Sequence, residues 1–186
     1  MLEPAPRPVV NPARRVLVAC MGNVIRSDDG FGPAVARRLE SLHQSAGVEV
    51  AEFGIAGIEL VQRLMDGYDG VIFVDAADHG QPPGTILELD PEVADVTGLP
   101  WSELQRIVGD GHETKPARVM LMARSLGCLP PRVRLLGCQP ETTDPGTELS
   151  AAVASAVDEA ARRIDVVIRQ WQGSVRDRAA GKADPR

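Results

Sequence analysis

The sequence predicts an α/β fold, a three-layer sandwich in which a mostly parallel, twisted five-stranded sheet with one antiparallel strand carries helices on both faces. Two continuous apolar runs, at 16–21 and 70–75, are typical of strands buried on both sides. After the first run, apolar residues recur at a spacing of three and four, as in an amphipathic helix. Because strand and helix patterns alternate through nearly the whole chain, helices are expected on both faces of one sheet.

Local patterns in the sequence predict five strands and five helices. The predicted strands lie at 16–21, 48–53, 70–75, 85–89 and 132–138, and the predicted helices begin near 29 and lie at 58–65, 102–108, 116–125 and 149–171. The connection 76–83 is too short for a parallel crossover, so the strand after it is expected to run antiparallel. The strand at 48–53 alternates imperfectly with glutamates, which favours a position near a sheet edge.

Composition limits the classes of function. With 186 residues and 44% hydrophobic content, we expect one globular domain at 16–172, between a disordered leader at 1–15 and a disordered tail at 173–186. The net charge of −6 disfavours a general binder of nucleic acids or anionic membranes. No apolar run approaches the roughly 20 residues of a membrane span.

The three cysteines predict a cytoplasmic protein with free thiols. Cys20, Cys128 and Cys138 are odd in number, and two of them end or lie within apolar segments. Since no Cys-x-x-Cys spacing occurs, buried free thiols in a reducing compartment are favoured over metal ligation. The lack of a long exposed apolar stripe makes a monomer the expected state.

Acidic and imidazole side chains from three segments of the chain are predicted at one edge of the sheet. Asp28 and Asp29 follow the first strand, Asp75 ends the third, and His112 precedes the helix at 116–125. If the first strand is central, with the second and third on opposite sides of it, its carboxyl end is a topological switch point, where α/β sheets place ligands. Two carboxylates and one imidazole would form an open site for a divalent metal such as nickel or zinc.

Structural explanations of these residues remain open at this point. An acidic pair near a helix start also stabilises the helix dipole, by about 0.3 to 1 kcal/mol. Asp75 would equally well cap the turn after its strand, and loop histidines are usually surface residues. His79 lies close enough to Asp75 in the sequence to serve as a reserve ligand.

Four sequence motifs resemble the hydrogenase maturation endopeptidases, which trim the C-terminus of the large subunit of nickel-iron hydrogenases. The motifs are Gly-Asn-Val-Ile-Arg-Ser-Asp-Asp-Gly-Phe-Gly at 22–32, Val-Asp-Ala at 74–76, Gly-His at 111–112 before a helix ending in Leu-Gly at 126–127, and Gly-Cys-Gln-Pro-Glu at 137–141. The resemblance extends over about 16–171. It departs from the family pattern at 93–111, where extra or altered structure is expected before the histidine.

The resemblance implies a function and a ligand set. Asp29, Asp75 and His112 would bind nickel, which the hydrogenase large-subunit precursor would supply, and zinc or another divalent metal could substitute. The bound nickel would position the scissile peptide at the C-terminal extension, with Asp29 acting in the catalytic site and Asp28 serving as general base or orienting the loop.

Two other functions compete with this endopeptidase. A nickel- or zinc-binding maturation chaperone could use the same three ligands without cleaving a peptide. A flavodoxin-like nucleotide or phosphate binder would use the loop after the first strand. That loop has neither Gly-x-Gly-x-x-Gly nor a Walker lysine, and its two carboxylates would repel phosphate.

Overall fold

The structure is a computed structural model that describes residues 15–41, 46–96, 98–99, 102–103 and 115–173. Several expectations from the sequence lie outside the described residues. They are the leader except Arg15, the tail after Gly173, most of the helix at 102–108, and His112.

The described elements follow the predicted order. The strands are β1 (Val16–Met21), β2 (Val48–Gly54), β3 (Gly70–Ala76), β4 (Ile86–Leu89) and β5 (Arg132–Cys138), and the helices are α1 (Phe31–Glu40), α2 (Gly57–Leu64), α3 (Pro116–Ser125) and α4 (Ala151–Gly173). A short 3₁₀ helix, Ser27–Gly30, precedes α1. The first α-helix therefore begins two residues later than predicted, because the 3₁₀ turn occupies its expected start.

The five strands form one sheet in the order β2-β1-β3-β5-β4. All neighbouring pairs are parallel except β4 and β5. The predicted fold class, the edge position of β2 and the antiparallel direction of β4 are confirmed. Since the chain passes from β1 to β2 on one side and then to β3 on the other, the switch point lies at the carboxyl ends of β1 and β3.

Each face of the sheet carries its own apolar core. All six residues of β1 are buried, and they alternate between the two cores. Val16, Val18 and Cys20 pack with residues of α1 and α4. The other three residues of the strand pack with residues of α2 and α3. Burial on both faces explains why β1 is an uninterrupted apolar run in the sequence.

The folded domain extends slightly beyond the predicted bounds. Arg15, which the sequence assigned to the leader, stacks 4.5 Å from the ring centroid of Tyr68, and its backbone N–H donates to Asp69. Helix α4 continues to Gly173, the first residue of the expected tail. Among the described helices, none combines the length and apolar character required to cross a membrane.

Candidate functional site

The loop that leaves β1 is shaped by Gly22. Its φ of +127° lies in a region that side chains disfavour, and a Cβ atom there would lie 1.9 Å from the carbonyl oxygen of Asp29. The N–H of Gly22 donates to the carbonyl of Gly54 at the end of β2, at 3.0 Å. Glycine at this position therefore lets the loop turn back tightly over the carboxyl edge of the sheet.

Asp29 is held by the same loop. The N–H of Asn23 donates both to the Asp29 carbonyl oxygen, at 3.1 Å, and to Asp29 Oδ2, at 3.0 Å. The Asp29 N–H in turn donates to the carbonyl of Arg26. The carboxylate is partly exposed. One of its oxygens is thus oriented by backbone, and the side chain remains accessible to a ligand.

Asp75 lies near the carboxyl end of β3, next to β1 in the sheet. Its exposed fraction is 9%. Burial raises the pKa of Asp75 to about 7, with a further contribution from the negative charge of Asp29. The structure therefore brings these two predicted site residues together. Two carboxylates whose negative charges repel each other favour either a shared proton or a bound cation, so the pair suits a divalent metal.

Asp28 occupies a different environment from its neighbour. Its side chain is fully buried and accepts hydrogen bonds from the N–H groups of Glu141 (2.8 Å), Thr142 (3.1 Å) and Ser150 (2.6 Å). Burial alone would raise the pKa of Asp28, but these hydrogen bonds outweigh it and lower the pKa below its ordinary value. These contacts hold the loop after β1 against the segment 141–150.

Gln139 makes a second clamp at this edge, and sequence reasoning did not single it out. Its Oε1 accepts the N–H groups of His79 (2.8 Å) and Gln81 (3.2 Å), and its Nε2 donates to Asp78 Oδ1 (3.1 Å) and to the Pro140 carbonyl (3.2 Å). The connection after β3 is thereby fixed to the end of β5. The only sequence signal was its place in the motif at 137–141.

Of the two histidines considered as ligands, the structure describes only His79. His112 lies outside the described residues. The ring nitrogens of His79 are buried and make no hydrogen bond within the described structure, while its backbone N–H is held by Gln139. No three His, Cys, Asp or Glu side chains among the described residues are grouped so as to hold a metal. His79 therefore does not complete a three-ligand site with Asp29 and Asp75.

The cysteines near this edge are poor nucleophiles. Cys20 and Cys138 are buried, and all three cysteines are free thiols, as the sequence predicted. Burial, followed by the charges of Glu52 and Glu40, raises the pKa of Cys20 far above its ordinary value. Burial and the charge of Asp28 raise the pKa of Cys138 to about 11. Since the thiolate is the reactive form, neither residue suits thiol-dependent peptide cleavage.

Known proteins share this fold. The chain superposes on the hydrogenase maturating endopeptidase HybD from Escherichia coli with a TM-score of 0.67 and 26% identity, covering 84% of this chain and 93% of that one. It also matches the hydrogenase 2 maturation peptidase of a Thaumarchaeota archaeon with a TM-score of 0.62 and 34% identity, covering 81% and 96%.

Sequence comparisons agree with the structural ones. The chain is 34% identical to the hydrogenase expression/formation protein HupD of Rhizobium leguminosarum bv. viciae over 94% of this chain and 84% of that protein. It is 32% identical to HoxM of Cupriavidus necator, covering 85% and 76%. The model of the hydrogenase maturation protease family HycI matches residues 33–165. The chain therefore belongs to the hydrogenase maturation protease family.

Proposed function

We propose that this protein is an endopeptidase that removes the C-terminal extension of a nickel-iron hydrogenase large-subunit precursor after nickel has been inserted. It recognises the nickel carried by the precursor and hydrolyses one peptide bond next to it. The reaction takes place in the cytoplasm, and the enzyme acts as a monomer. Family membership supports the peptidase activity and the hydrogenase substrate.

The observation that carries the nickel-dependent step is the pairing of Asp29 and Asp75. Asp29 lies in the 3₁₀ helix after β1, which contacts β3, and Asp75 lies near the carboxyl end of β3, so the two carboxylates share one edge of the sheet. The negative charge of Asp29 adds to the raised pKa of Asp75. A cation placed between them relieves this repulsion and compensates the desolvation of Asp75. A precursor that brings nickel gains this energy, whereas one without nickel leaves the repulsion in place.

The ligand set we propose is Asp29, Asp75 and His112. Carboxylate oxygens and imidazole nitrogen suit nickel or zinc, and a set of three leaves positions for ligands from the precursor. The metal would polarise the scissile carbonyl or its attacking water. Water adds to the carbonyl carbon, the C–N bond breaks, and the released amine takes up a proton.

Asp28 has a positioning role in this proposal. Its two carboxylate oxygens already accept three backbone hydrogen bonds, and its side chain has no exposed surface. A general base must reach the proton that it abstracts, directly or through one water. We therefore assign Asp28 to holding the loop that carries Asp29.

Cleavage of defined precursors tests the function. Nickel-loaded and nickel-free large-subunit precursors are incubated with the wild-type protein and with Asp29→Asn, Asp75→Asn and His112→Ala, and intact masses are measured. We expect a C-terminal peptide to be lost only from the nickel-loaded precursor. Each of the three substitutions should lower kcat/KM by at least about 100-fold, because each removes a ligand. Lys115→Ala, at an exposed position three residues beyond His112, is the matched control.

Two other outcomes would contradict the proposal. Equal cleavage of both precursor forms would exclude recognition of nickel. Tight nickel binding by the free wild-type protein, with both precursors left intact, would favour the non-proteolytic metal chaperone instead. Calorimetric titration of the free protein with nickel separates these cases, since our proposal requires only weak binding without the precursor.

A further inference from the structure

Exposed apolar side chains are concentrated beside the candidate site. Of the eight large hydrophobic side chains that are exposed in the described part of the chain, three lie in the loops that leave β1 and β2, and a fourth lies in the first turn of α2, directly after the second loop. They are Val24 (47% exposed), Ile25 (63%), Ile55 (64%) and Ile58 (66%). We call these four residues the apolar rim. Clustered exposed apolar residues in a single-domain protein commonly mark an interaction site.

The two halves of the apolar rim are neighbours in space. Gly22 and Gly54, which precede them, are joined by a backbone hydrogen bond of 3.0 Å. The rim also adjoins the acidic pair. A Cβ atom at Gly30, the residue after Asp29, would lie 3.6 Å from the Cα of Val24. A polypeptide whose scissile bond reaches Asp29 therefore passes close to the rim.

The absence of charged residues in the rim restricts the kind of segment that can bind there. None of the nine residues at 22–25 and 54–58 is charged, although 25% of the whole chain is. Arg26 and Glu59, both exposed, follow the two segments, so the uncharged surface is limited to these nine residues. A charged side chain placed on them would lose hydration without gaining an ionic partner there. An uncharged aliphatic segment fits, because burying its side chains against the isoleucines removes apolar surface from water on both partners.

We propose that the apolar rim is the docking surface for an uncharged aliphatic segment of the hydrogenase large-subunit precursor, adjacent to the scissile bond. The inference rests on the proposed function. It adds a nickel-independent contact to recognition, in which the rim supplies affinity and the carboxylates test for the metal. The rim contact is made in the substrate complex and in the transition state alike, so it lowers KM and leaves kcat unchanged.

Matched double substitutions test this surface. The variant Ile25→Ser/Ile58→Ser removes one isoleucine from the loop after β1 and one from the first turn of α2, both exposed and outside the two cores. The control, Leu126→Ser/Val166→Ser, removes two residues of similar exposure (54% and 52%) that lie outside the two loops. Affinity for the nickel-free precursor is measured by calorimetry, and steady-state cleavage is measured with the nickel-loaded form. Thermal unfolding confirms that both variants are folded.

We expect the rim variant to bind the nickel-free precursor at least about tenfold more weakly and to show a similar rise in KM, with kcat within twofold of wild type. The control should match wild type in both assays. Equal affinity of the rim variant and wild type, or no binding of wild type to either precursor form, would overturn the inference. If wild type binds both precursors but cleaves neither, the proposed function fails, while the affinity ratio still decides the role of the rim.

Discussion

The properties of single residues at this site reflect a conflict between stability and function. Asp75 is placed where ionisation is unfavourable, since it is buried and faces another carboxylate. A buried charge without a partner costs free energy of folding, and proteins retain such groups mainly where function needs them. In the proposed function, the substrate-borne cation would supply the partner that this carboxylate lacks.

The pH dependence of the unfolding free energy tests whether folding raises the pKa of Asp75. Because its pKa rises from 3.8 to about 7 on folding, the folded state holds the proton more tightly than the unfolded state. Wild-type stability is therefore reduced progressively as pH rises from about 4 to 7, and the full penalty applies above pH 7. Asp75→Asn removes the charge, so its stability relative to wild type should increase by about 2–3 kcal/mol between pH 5 and pH 8. Urea unfolding at the two pH values measures this change.

Asp29→Asn serves as the partner variant in that experiment. It removes the smaller, electrostatic contribution to the Asp75 pKa and leaves burial unchanged. We expect it to stabilise the protein at pH 8 in the same direction, by less than Asp75→Asn. A stability difference between Asp75→Asn and wild type that stays constant from pH 5 to pH 8 would refute the assigned ionisation.

At the scale of elements, the site depends on clamps between segments that are distant in the sequence. Asp28 joins the loop after β1 to the segment 141–150, more than 110 residues away. Gln139 joins the connection after β3 to the end of β5. Both clamps act on backbone N–H groups of connecting segments. They fix the positions of loops that no helix or strand hydrogen bonds would hold.

Replacement of Asp28 separates a clamp from a general base. Asp28→Asn replaces one accepting oxygen by an NH₂ group that faces backbone donors, so we expect a loss of about 2–3 kcal/mol of unfolding free energy at pH 7. The pKa of Asp28 is lowered on folding, so its contribution is present above its unfolded pKa and disappears as pH falls through its folded pKa. Urea unfolding at pH 7 and near pH 3 measures both effects.

The exposed residue Asp144 provides the matched control for this clamp. It lies in the same segment, and Asp144→Asn should change the unfolding free energy by less than about 0.5 kcal/mol. If Asp28 is a clamp, the folded fraction of Asp28→Asn retains measurable cleavage at low temperature. Complete loss of cleavage together with wild-type stability would instead identify Asp28 as the base.

For the molecule as a whole, the fold was predictable and part of the site was not. Continuous apolar runs identify β1 and β3, and the short connection before β4 determines its direction, so local sequence sufficed for the sheet. Topology predicted that Asp28 or Asp29 would face Asp75, and the family resemblance indicated Asp29. The clamps of Asp28 and Gln139 were not predictable, because backbone N–H donors leave no signature in residue type. The apolar rim had one signal, since isoleucines in turn segments such as Ile25 and Ile55 are unusual.

The two apolar cores make a prediction about the whole domain. Leu17 is fully buried in the core beneath α2 and α3, and Leu39 is fully buried in the core beneath α1 and α4. Replacing either by Ala should cost about 3 kcal/mol through lost burial and a residual cavity. The residues lie on opposite faces of the sheet and share no core, so the double substitution should cost the sum within about 0.5 kcal/mol.

Urea unfolding followed by circular dichroism measures the double-mutant cycle. A single transition is expected in every variant, because both cores pack on β1 and β3 and neither face is complete without these strands. A coupling energy above about 1 kcal/mol would show that the two cores are not energetically independent, and two separate transitions would show that they do not unfold as one cooperative unit. The same strands carry the acidic pair near their carboxyl ends, so unfolding separates both carboxylates at once. Molecules of the single variants that remain folded keep the pair in place. We therefore expect cleavage by these variants to fall only in proportion to the unfolded fraction.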